Sequence, residues 1–493
     1  MDFINITGAS QNNLKNIDVN IPKHLVTVFT GRSGSGKSSL VFNTVAAESE
    51  QLLNESYSSY IQFHLNQQPR PKVKKIKNLP VAMTINQRRF NGNSRSTVGT
   101  VSDIYASVRL LWSRIGEPFV GYSDAYSFNS PKGMCKTCEG LGYIEDINLD
   151  ELLDWDKSLN EGAIDFPSFG PDKERGKAYR DSGLFDNNKK LKDYTKDELE
   201  LFLYQEPMTL KNPPKEWRKS AKYVGLIHRF SRIFLGDKEF NKKRYAKHLK
   251  NVVNNKICPT CKGQRLNSKI LSSKIMSKNI SDFTQMTIKE NLEFLNKLED
   301  PTAKYIIDPL KKQLEALEYI GLSYLTLNRV TTTLSGGEAQ RLKLIRHLNS
   351  SLSDLVYIID EPSVGLHPED IAKINEILKS LKEKGNTVLI VEHDPDVIKE
   401  GDYIIDMGPG SGKNGGEITF EGTYNELLSS NTSTGNALRN KHNLKENIRE
   451  ANHFYNIGPV TQNNLNNVKT SIPKHVLTVL TGVAGSGKST LVK

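Results

Sequence analysis

The sequence predicts an α/β fold, a phosphate-loop lobe carrying a long, mainly helical insertion with two cysteine knuckles. Three observations lead there. Gly31–Ser38 reads GRSGSGKS, with a short β-branched run, Val26–Thr30, before it and apolar residues at helical spacing over Ser38–Leu53 after it. That strand–loop–helix setting is what G-x-x-x-x-G-K-[ST] requires if backbone N–H groups are to close around phosphates. Further on, Leu355–Asp360 and Thr387–Val391 are short apolar runs of the kind buried parallel strands show. Between them Ile371, Ile374, Ile377, Leu378 and Leu381 fall on one helical face, and Gly385-Asn386 supplies a stop. Glu117–Ala316 interrupts this pattern with polar, turn-rich stretches such as Gly170–Asn188 and with both C-x-x-C pairs.

A second phosphate loop, GVAGSGKS, occupies Gly482–Ser489. Asn5–Val41 and Asn456–Val492 align without a gap at an offset of 451, with 22 of 37 positions identical, sharing QNNL, IPKH and T-V-x-T. That spacing is too long for a solenoid repeat and marks the start of a second copy of a whole lobe. The expected organisation is therefore residues 1–116, first nucleotide core; 117–316, insertion; 317–440, the rest of that lobe; and 441–493, a linker and the truncated start of a second lobe. Asn91–Thr100 reads as a basic glycine- and serine-rich loop, and Gly408–Gly416 (GPGSGKNGG) as a flexible turn cluster.

A chain of 493 residues buries enough core to need no disulfide staples. Its cysteines number four, all in C-x-x-C pairs, which points to metal binding in a reducing compartment. No apolar run reaches 18 residues and the amino terminus lacks the pattern of a signal peptide, so a cytoplasmic protein without its own membrane span is expected. Charge is concentrated. Lys211–Lys256 holds 14 Lys/Arg against three Asp/Glu, a local balance of +11 that equals the net charge of the chain. With interleaved aromatics (Trp217, Tyr223, Phe230, Phe234, Phe240, Tyr245), this is the electrostatic footprint expected of a nucleic-acid surface. The alternative is a solvated face whose aromatics are ordinary core.

The residues that carry chemistry follow in order. Lys37 reaches β/γ-phosphates, Ser38 meets Mg²⁺, and Gly31, Ser33, Gly34, Gly36 and Ser39 complete the cradle; Gly482, Gly487, Lys488 and Ser489 are the counterparts in the second copy. Leu334–Arg341, LSGGEAQR, places a glycine turn (Ser335, Gly336, Gly337) at a helix start, where free N–H groups and the helix dipole favour an anion. LVYIIDE ends a strand in two carboxylates, Asp360 to hold Mg²⁺ through water and Glu361 to polarise the attacking water. His393 after LIVE and Gln87 in TINQRR are placed to contact the γ-phosphate and to sense metal and water. A lone His or Gln at a strand end is usually structural; the order of the whole set is what gives these two weight. The knuckles Cys135–Cys138 (CKTCEG) and Cys258–Cys261 (CPTCKG) can complete a tetrahedral Zn²⁺ site. The 119 residues between the pairs lie outside local zinc-finger spacing, so unconnected buried pairs or redox motifs stay open at this point.

The order of phosphate loop, glutamine, LSGGQ-type signature, DE strand and histidine resembles the ATP-binding cassette superfamily. It implies ATP and Mg²⁺ at Lys37, Ser38 and Asp360, Glu361 as general base, and a D-loop at Ser363–His367. RSTVGTVSDIY at 95–105, SFNSPKGMCKTCEGLG at 127–142, CPTCKGQRL at 258–266 and DEPSVGLH at 360–367 resemble the UvrA family, the duplicated damage-recognition ATPases of bacterial excision repair. That resemblance implies ATP hydrolysis coupled to binding damaged or distorted DNA, and Zn²⁺ on the four cysteines. One departure stands out. The family's large UvrB-binding insertion has no room here, because Glu117 reaches Ser127 in ten residues. The chain resembles the shorter paralogues, some associated with resistance to DNA-binding drugs, and recruitment of the UvrB partner is in question. In the superfamily each lobe's signature faces the other lobe's phosphate loop, so two copies pairing Lys37 of one with Ser335 of the other form the homodimer reading. An inactive truncated remnant is a rival. The ATPase subunit of a membrane transporter is a weaker one, since such subunits lack the knuckles and the insertion.

Overall fold

The computed structural model describes the chain except residues 1, 65–68, 88–89, 91–93, 216, 218–220, 236–243, 349–351, 441–446, 448, 463, 483–485 and 493. It divides into two compact units, Met1–Ser123 with Ser272–Lys493, and Asp124–Leu271. The sequence bounds of the insertion, 117 and 316, are wider than the second unit. Helices Ile288–Asn296 and Lys304–Tyr319 pack with each other and with Ile104–Ile115 inside the first unit. The anchor is Trp112, fully buried, its ring 5.2 Å from that of Phe283 and stacked at 6.4 Å on that of Phe294.

The core of the first unit is a six-stranded sheet in the spatial order Glu417–Gly422, Tyr403–Gly408, Val26–Gly31, Thr387–Val391, Val356–Asp360, Ala82–Ile85. All neighbours are parallel except the first pair. Helices cover a parallel sheet on both faces, which is why its strands read as unbroken apolar runs. Every residue of Val26–Gly31 and of Thr387–Val391 is buried. Each fully buried Val, Leu, Ile or Phe contributes roughly 1.5–3 kcal/mol, so burial holds the strands that feed the loops firmly. Register then fixes the site: Val391 lies beside Asp360 and Phe29, so the chain leaves three adjacent strands at one edge, into the phosphate loop, the Glu361 turn and the His393 turn. A three-stranded antiparallel sheet (Ile17–Pro22, Phe3–Ala9, Lys75–Lys77) accompanies it.

The duplication is structural as well. Phe454–Val460 pairs with Val468–Pro473 in the register of Phe3–Ala9 with Ile17–Pro22, including the irregularity between Ile457 and Val460 that matches the one between Ile6 and Ala9. The counterpart of the phosphate-loop strand, Leu477–Gly482, forms no strand, and Leu477 is 93% exposed. Its first-copy equivalent is held between Thr387–Val391 and Tyr403–Gly408, and Leu477–Gly482 has no such neighbours among the described residues.

The second unit consists mostly of turns and irregular chain, with short helices such as Glu174–Arg180, Lys196–Tyr204 and Ala246–Val252 and one antiparallel pair, Tyr143–Ile147 with Val253–Ile257. Its core is aromatic: Phe166 lies 5.0 Å from Phe230 and 4.8 Å from Phe234, and Tyr179 lies 5.4 Å from Phe202 and 6.0 Å from Tyr223. This corrects the reading of the basic block. Trp217, Tyr223, Phe230 and Phe234 are buried and Tyr245 is half-buried against Phe166 and Phe234, so these rings build the core and are not free to stack on bases. Phe240 lies outside the described residues, as do Lys242 and Lys243 of the block and Arg88 and Arg89, which precede the basic loop in sequence. No described helix is long and apolar enough to cross a membrane.

Candidate functional site

The phosphate loop bends through three left-handed glycines, Gly31 (φ 127°), Gly34 (φ 77°) and Gly36 (φ 112°). At Gly31 a Cβ would lie 2.1 Å from the Met407 carbonyl oxygen, so only glycine fits. Lys37 opens a helix running to Glu55 through a π-helical segment, Val41–Ala46. Its ammonium is buried and donates to the carbonyls of Gly31 (2.9 Å) and Arg32 (3.0 Å), closing the loop on itself. Burial lowers the Lys37 pKa, opposed by Glu361, Asp406 and Asp360. Ser38 is exposed at the helix start. Ser39 is buried, its hydroxyl donating to Asn13 Oδ1 at 3.1 Å and accepting from Asn12 Nδ2 at 3.3 Å. Ser33 offers its carbonyl to the Ser411 hydroxyl at 2.6 Å.

Asp360 ends its strand half-buried, and burial, then Glu361 and Glu392, raise its pKa, with Lys37 opposing. Glu361 takes a left-handed turn (φ 42°) and its N–H donates to the Val391 carbonyl at 2.8 Å. The His393 Nε2 stands 3.7 Å from Glu361 Oε1. Burial and Lys37 lower the His393 pKa, so at neutral pH the imidazole is neutral. Gln87 Nε2 donates to the Glu361 carbonyl at 3.1 Å. An ammonium, two carboxylates, a neutral imidazole and a glycine-lined loop thus converge, a donor set that suits a magnesium–nucleotide phosphate.

The signature turn is capped reciprocally: Ser335 N–H donates to Glu338 Oε2 (2.7 Å) and Glu338 N–H to Ser335 Oγ (3.2 Å). Buried Glu338 also accepts from the Tyr324 hydroxyl at 2.7 Å. The helix it starts, Gly336–Leu348, is tied to the two neighbouring strand ends: Gln340 Nε2 donates to the Asp360 carbonyl at 2.6 Å and Lys343 Nζ to the Asn86 carbonyl at 3.1 Å. In the second copy, Gly482 and Gly487 repeat the left-handed turns and Lys488 Nζ donates to the Gly482 carbonyl at 2.6 Å. Ser489 follows on a short exposed helix, and Val483–Gly485 lie outside the described residues.

Two features of the site escaped the sequence reading. Gly408–Gly416 is a turn cluster, but one bound to the phosphate loop, with Gly412 N–H donating to the Gly34 carbonyl (2.9 Å) and Gly416 N–H to the Ser35 carbonyl (2.8 Å). Asn13 Nδ2 bridges Gly34 (3.0 Å) and Gly412 (3.3 Å), and QNNL, shared by the two copies, was the available signal. The second feature is Glu392, the residue before His393, which is buried at 1% exposure.

In the second unit the four thiols meet. All four are buried with Sγ atoms within 4.8 Å of one another; Cys135–Cys258 is 3.9 Å and Cys138–Cys261 3.6 Å. Tetrahedral zinc with Zn–S of about 2.3 Å has S–S edges of about 3.8 Å, so the four residues fit such a cation. The knuckles are near-copies. Cys135 N–H donates to the Arg265 carbonyl (2.9 Å) and Cys258 N–H to the Gly142 carbonyl (3.0 Å); Glu139 and Lys262 share φ 49°. Burial pushes the Cys138 and Cys261 thiols up, Cys261 to about 12, while backbone N–H groups of Cys261 and Thr260 hold Cys258 down at about 7 against burial.

The parallel sheet, its phosphate loop and the signature helix define an ATP-binding cassette ATPase. No family model matches the chain. It is 31% identical over 655 aligned positions to the UvrABC system protein A of Clostridium acetobutylicum, covering 100% of this chain and 69% of that protein. Against the Clostridium perfringens protein of the same name it is 32% identical over 651 positions, with the same coverages. The crystal structure of UvrA2 from Deinococcus radiodurans superposes with a TM-score of 0.82 at 32% identity, covering 99% of this chain and 65% of that one. The chain belongs to the UvrA family. Since it has 493 residues, at least 162 of the 655 positions aligned with the C. acetobutylicum protein hold no residue of this chain.

Proposed function

We propose that this is an ATP-dependent DNA-binding protein of the UvrA type, whose nucleotide turnover at Lys37, Ser38, Asp360 and Glu361 is coupled to DNA held by the second unit. The convergence of Glu361, His393 and Gln87 at the edge that carries the phosphate loop supports it most directly. Lys37 and the loop N–H groups bind phosphate, Ser38 and Asp360 hold Mg²⁺, and Glu361 takes the proton of the attacking water. Neutral His393 is a hydrogen-bonding partner for the γ-phosphate. Ser335–Gly337 complete the site of a second lobe, so the chain acts as a homodimer or with another lobe. The four cysteines hold Zn²⁺ as a structural clamp on the second unit.

DNA contact is assigned to the basic side of that unit. Lys173, Arg175, Arg244 and His248 line an open depression of about 650 Å³ with Ser168, Tyr245 and one carboxylate, Glu174. Arg175 and Arg244 lie over the rings of Phe234 and Tyr245, at 5.6 Å each. Charge without a fixed base reader gives affinity for backbone phosphate. The ten-residue passage from Glu117 to Ser127 favours a second reading, a DNA-protecting paralogue that works without UvrB. We place the protein in the cytoplasm. The test is ATP hydrolysis measured against protein concentration, with and without DNA. Turnover that rises more than linearly with concentration and responds to DNA supports the proposal, and none at any concentration favours an inactive remnant.

A further inference from the structure

Glu392 is a carboxylate at the centre of the site, 1% exposed, with no role so far. Its Oε1 accepts from the N–H of Ser363 at 2.9 Å. Its Oε2 accepts from the N–H of His393 at 2.6 Å and of Asp394 at 2.9 Å. Its own N–H donates to the Phe29 carbonyl at 3.1 Å, on the strand that feeds the phosphate loop. One buried residue therefore joins, through its carboxylate, the turn that follows Glu361 and the turn that carries His393, and, through its own N–H, the phosphate-loop strand. Three backbone donors offset the cost of burying its charge, and such bonds to an ion are stronger than neutral ones.

We propose that Glu392 is a positioning residue for hydrolysis, holding the Glu361–Ser363 turn and the His393 turn in one frame so that neither moves without the other. The geometry favours this over simple packing, because both oxygens are spent on main-chain donors of the two turns and none on the surrounding core. Only a carboxylate serves both sets of donors. In a glutamine one position becomes an NH₂ facing N–H groups, and either the Ser363 bond or the His393–Asp394 pair is lost. The proposal rests on the reading of Glu361 and His393 as hydrolytic residues.

Glu392→Gln should lower kcat by about 10–100-fold, the usual effect of removing a group that orients reacting residues, with KM for ATP changed less than about twofold. Amide hydrogen exchange on the full-length chain reads the latch itself, whether or not the chain turns over. In the unaltered protein the Ser363, His393 and Asp394 amides should be protected; in Glu392→Gln one side should exchange at least tenfold faster while the Val26–Phe29 amides stay protected. Free exchange of all three amides in the unaltered protein would overturn the proposal without touching the ATPase reading. So would a variant with unchanged kcat, or one whose KM, kcat and core protection all fail together. If the variant does not fold, the exchange result on the unaltered protein decides.

Discussion

His393 and Glu361 face each other across 3.7 Å, between Nε2 and Oε1, with the imidazole kept neutral by burial and by Lys37. That gap exceeds a direct hydrogen bond and leaves the pair as two polar walls for a water or a phosphate oxygen. Both side chains are partly open, 42% and 39% exposed, so a ligand can reach them.

Glu361→Gln should reduce turnover by about 10²–10⁴-fold while leaving nucleotide binding intact, because Lys37, Ser38 and Asp360 remain. Single-turnover hydrolysis together with binding of a fluorescent ATP analogue checks this. Hydrolysis at the unaltered rate would remove Glu361 from the role.

Asp360→Asn tests the cost of the site. Burial and two neighbouring carboxylates raise the Asp360 pKa in the folded state. The folded protein then holds this proton more tightly than the unfolded chain, so the contribution to stability falls as pH rises through and above the ordinary aspartate range, near about 4. At pH 7 the ionised group is destabilising. The asparagine variant should melt at a higher temperature than the parent without nucleotide, and lose Mg²⁺-dependent ATP binding. A Tm that drops, or a difference that persists unchanged down to pH 3, would contradict the assignment.

Metal analysis should find one zinc per chain. Cys135→Ser should release it and destabilise the second unit, since one of four buried ligands is lost while three crowded thiols remain. Active, folded protein free of zinc would refute the metal clamp and leave a thiol cluster without a structural role.

DNA affinity should be insensitive to sequence and fall steeply with salt, with a log–log slope of about −0.9 per phosphate contact. Replacing Lys173, Arg175 and Arg244 together by glutamine should flatten that slope by up to about 3 and spare ATP binding. If the slope is unchanged, and a variant at Arg88, Arg89 and Arg95 lowers it instead, the DNA surface belongs to the segment 88–95.

Much of this was legible in the sequence because the signals are local. Glycines that must take left-handed φ, a lysine and serine at fixed spacing, apolar runs feeding Asp360 and His393, and a repeat at an offset of 451 are each visible without a structure. So are two C-x-x-C knuckles. What the sequence could not decide is which distant segments meet. Cys135 and Cys258 lie 123 residues apart and come to 3.9 Å only because the antiparallel pair Tyr143–Ile147 and Val253–Ile257 brings their knuckles together. Trp217, Tyr223, Phe230 and Phe234 of the basic block read as part of a surface by charge, yet they pack inward, since burying a ring contributes more than exposing it. Gly408–Gly416 read as loose by composition, and its backbone instead bonds the phosphate loop. Glu392 carried no signal of its own in the sequence; parallel pairing of Thr387–Val391 with strands on both sides places it where three N–H groups converge. Residue type and spacing determined the chemistry available, and long-range strand pairing, which spacing does not encode, decided where it is assembled.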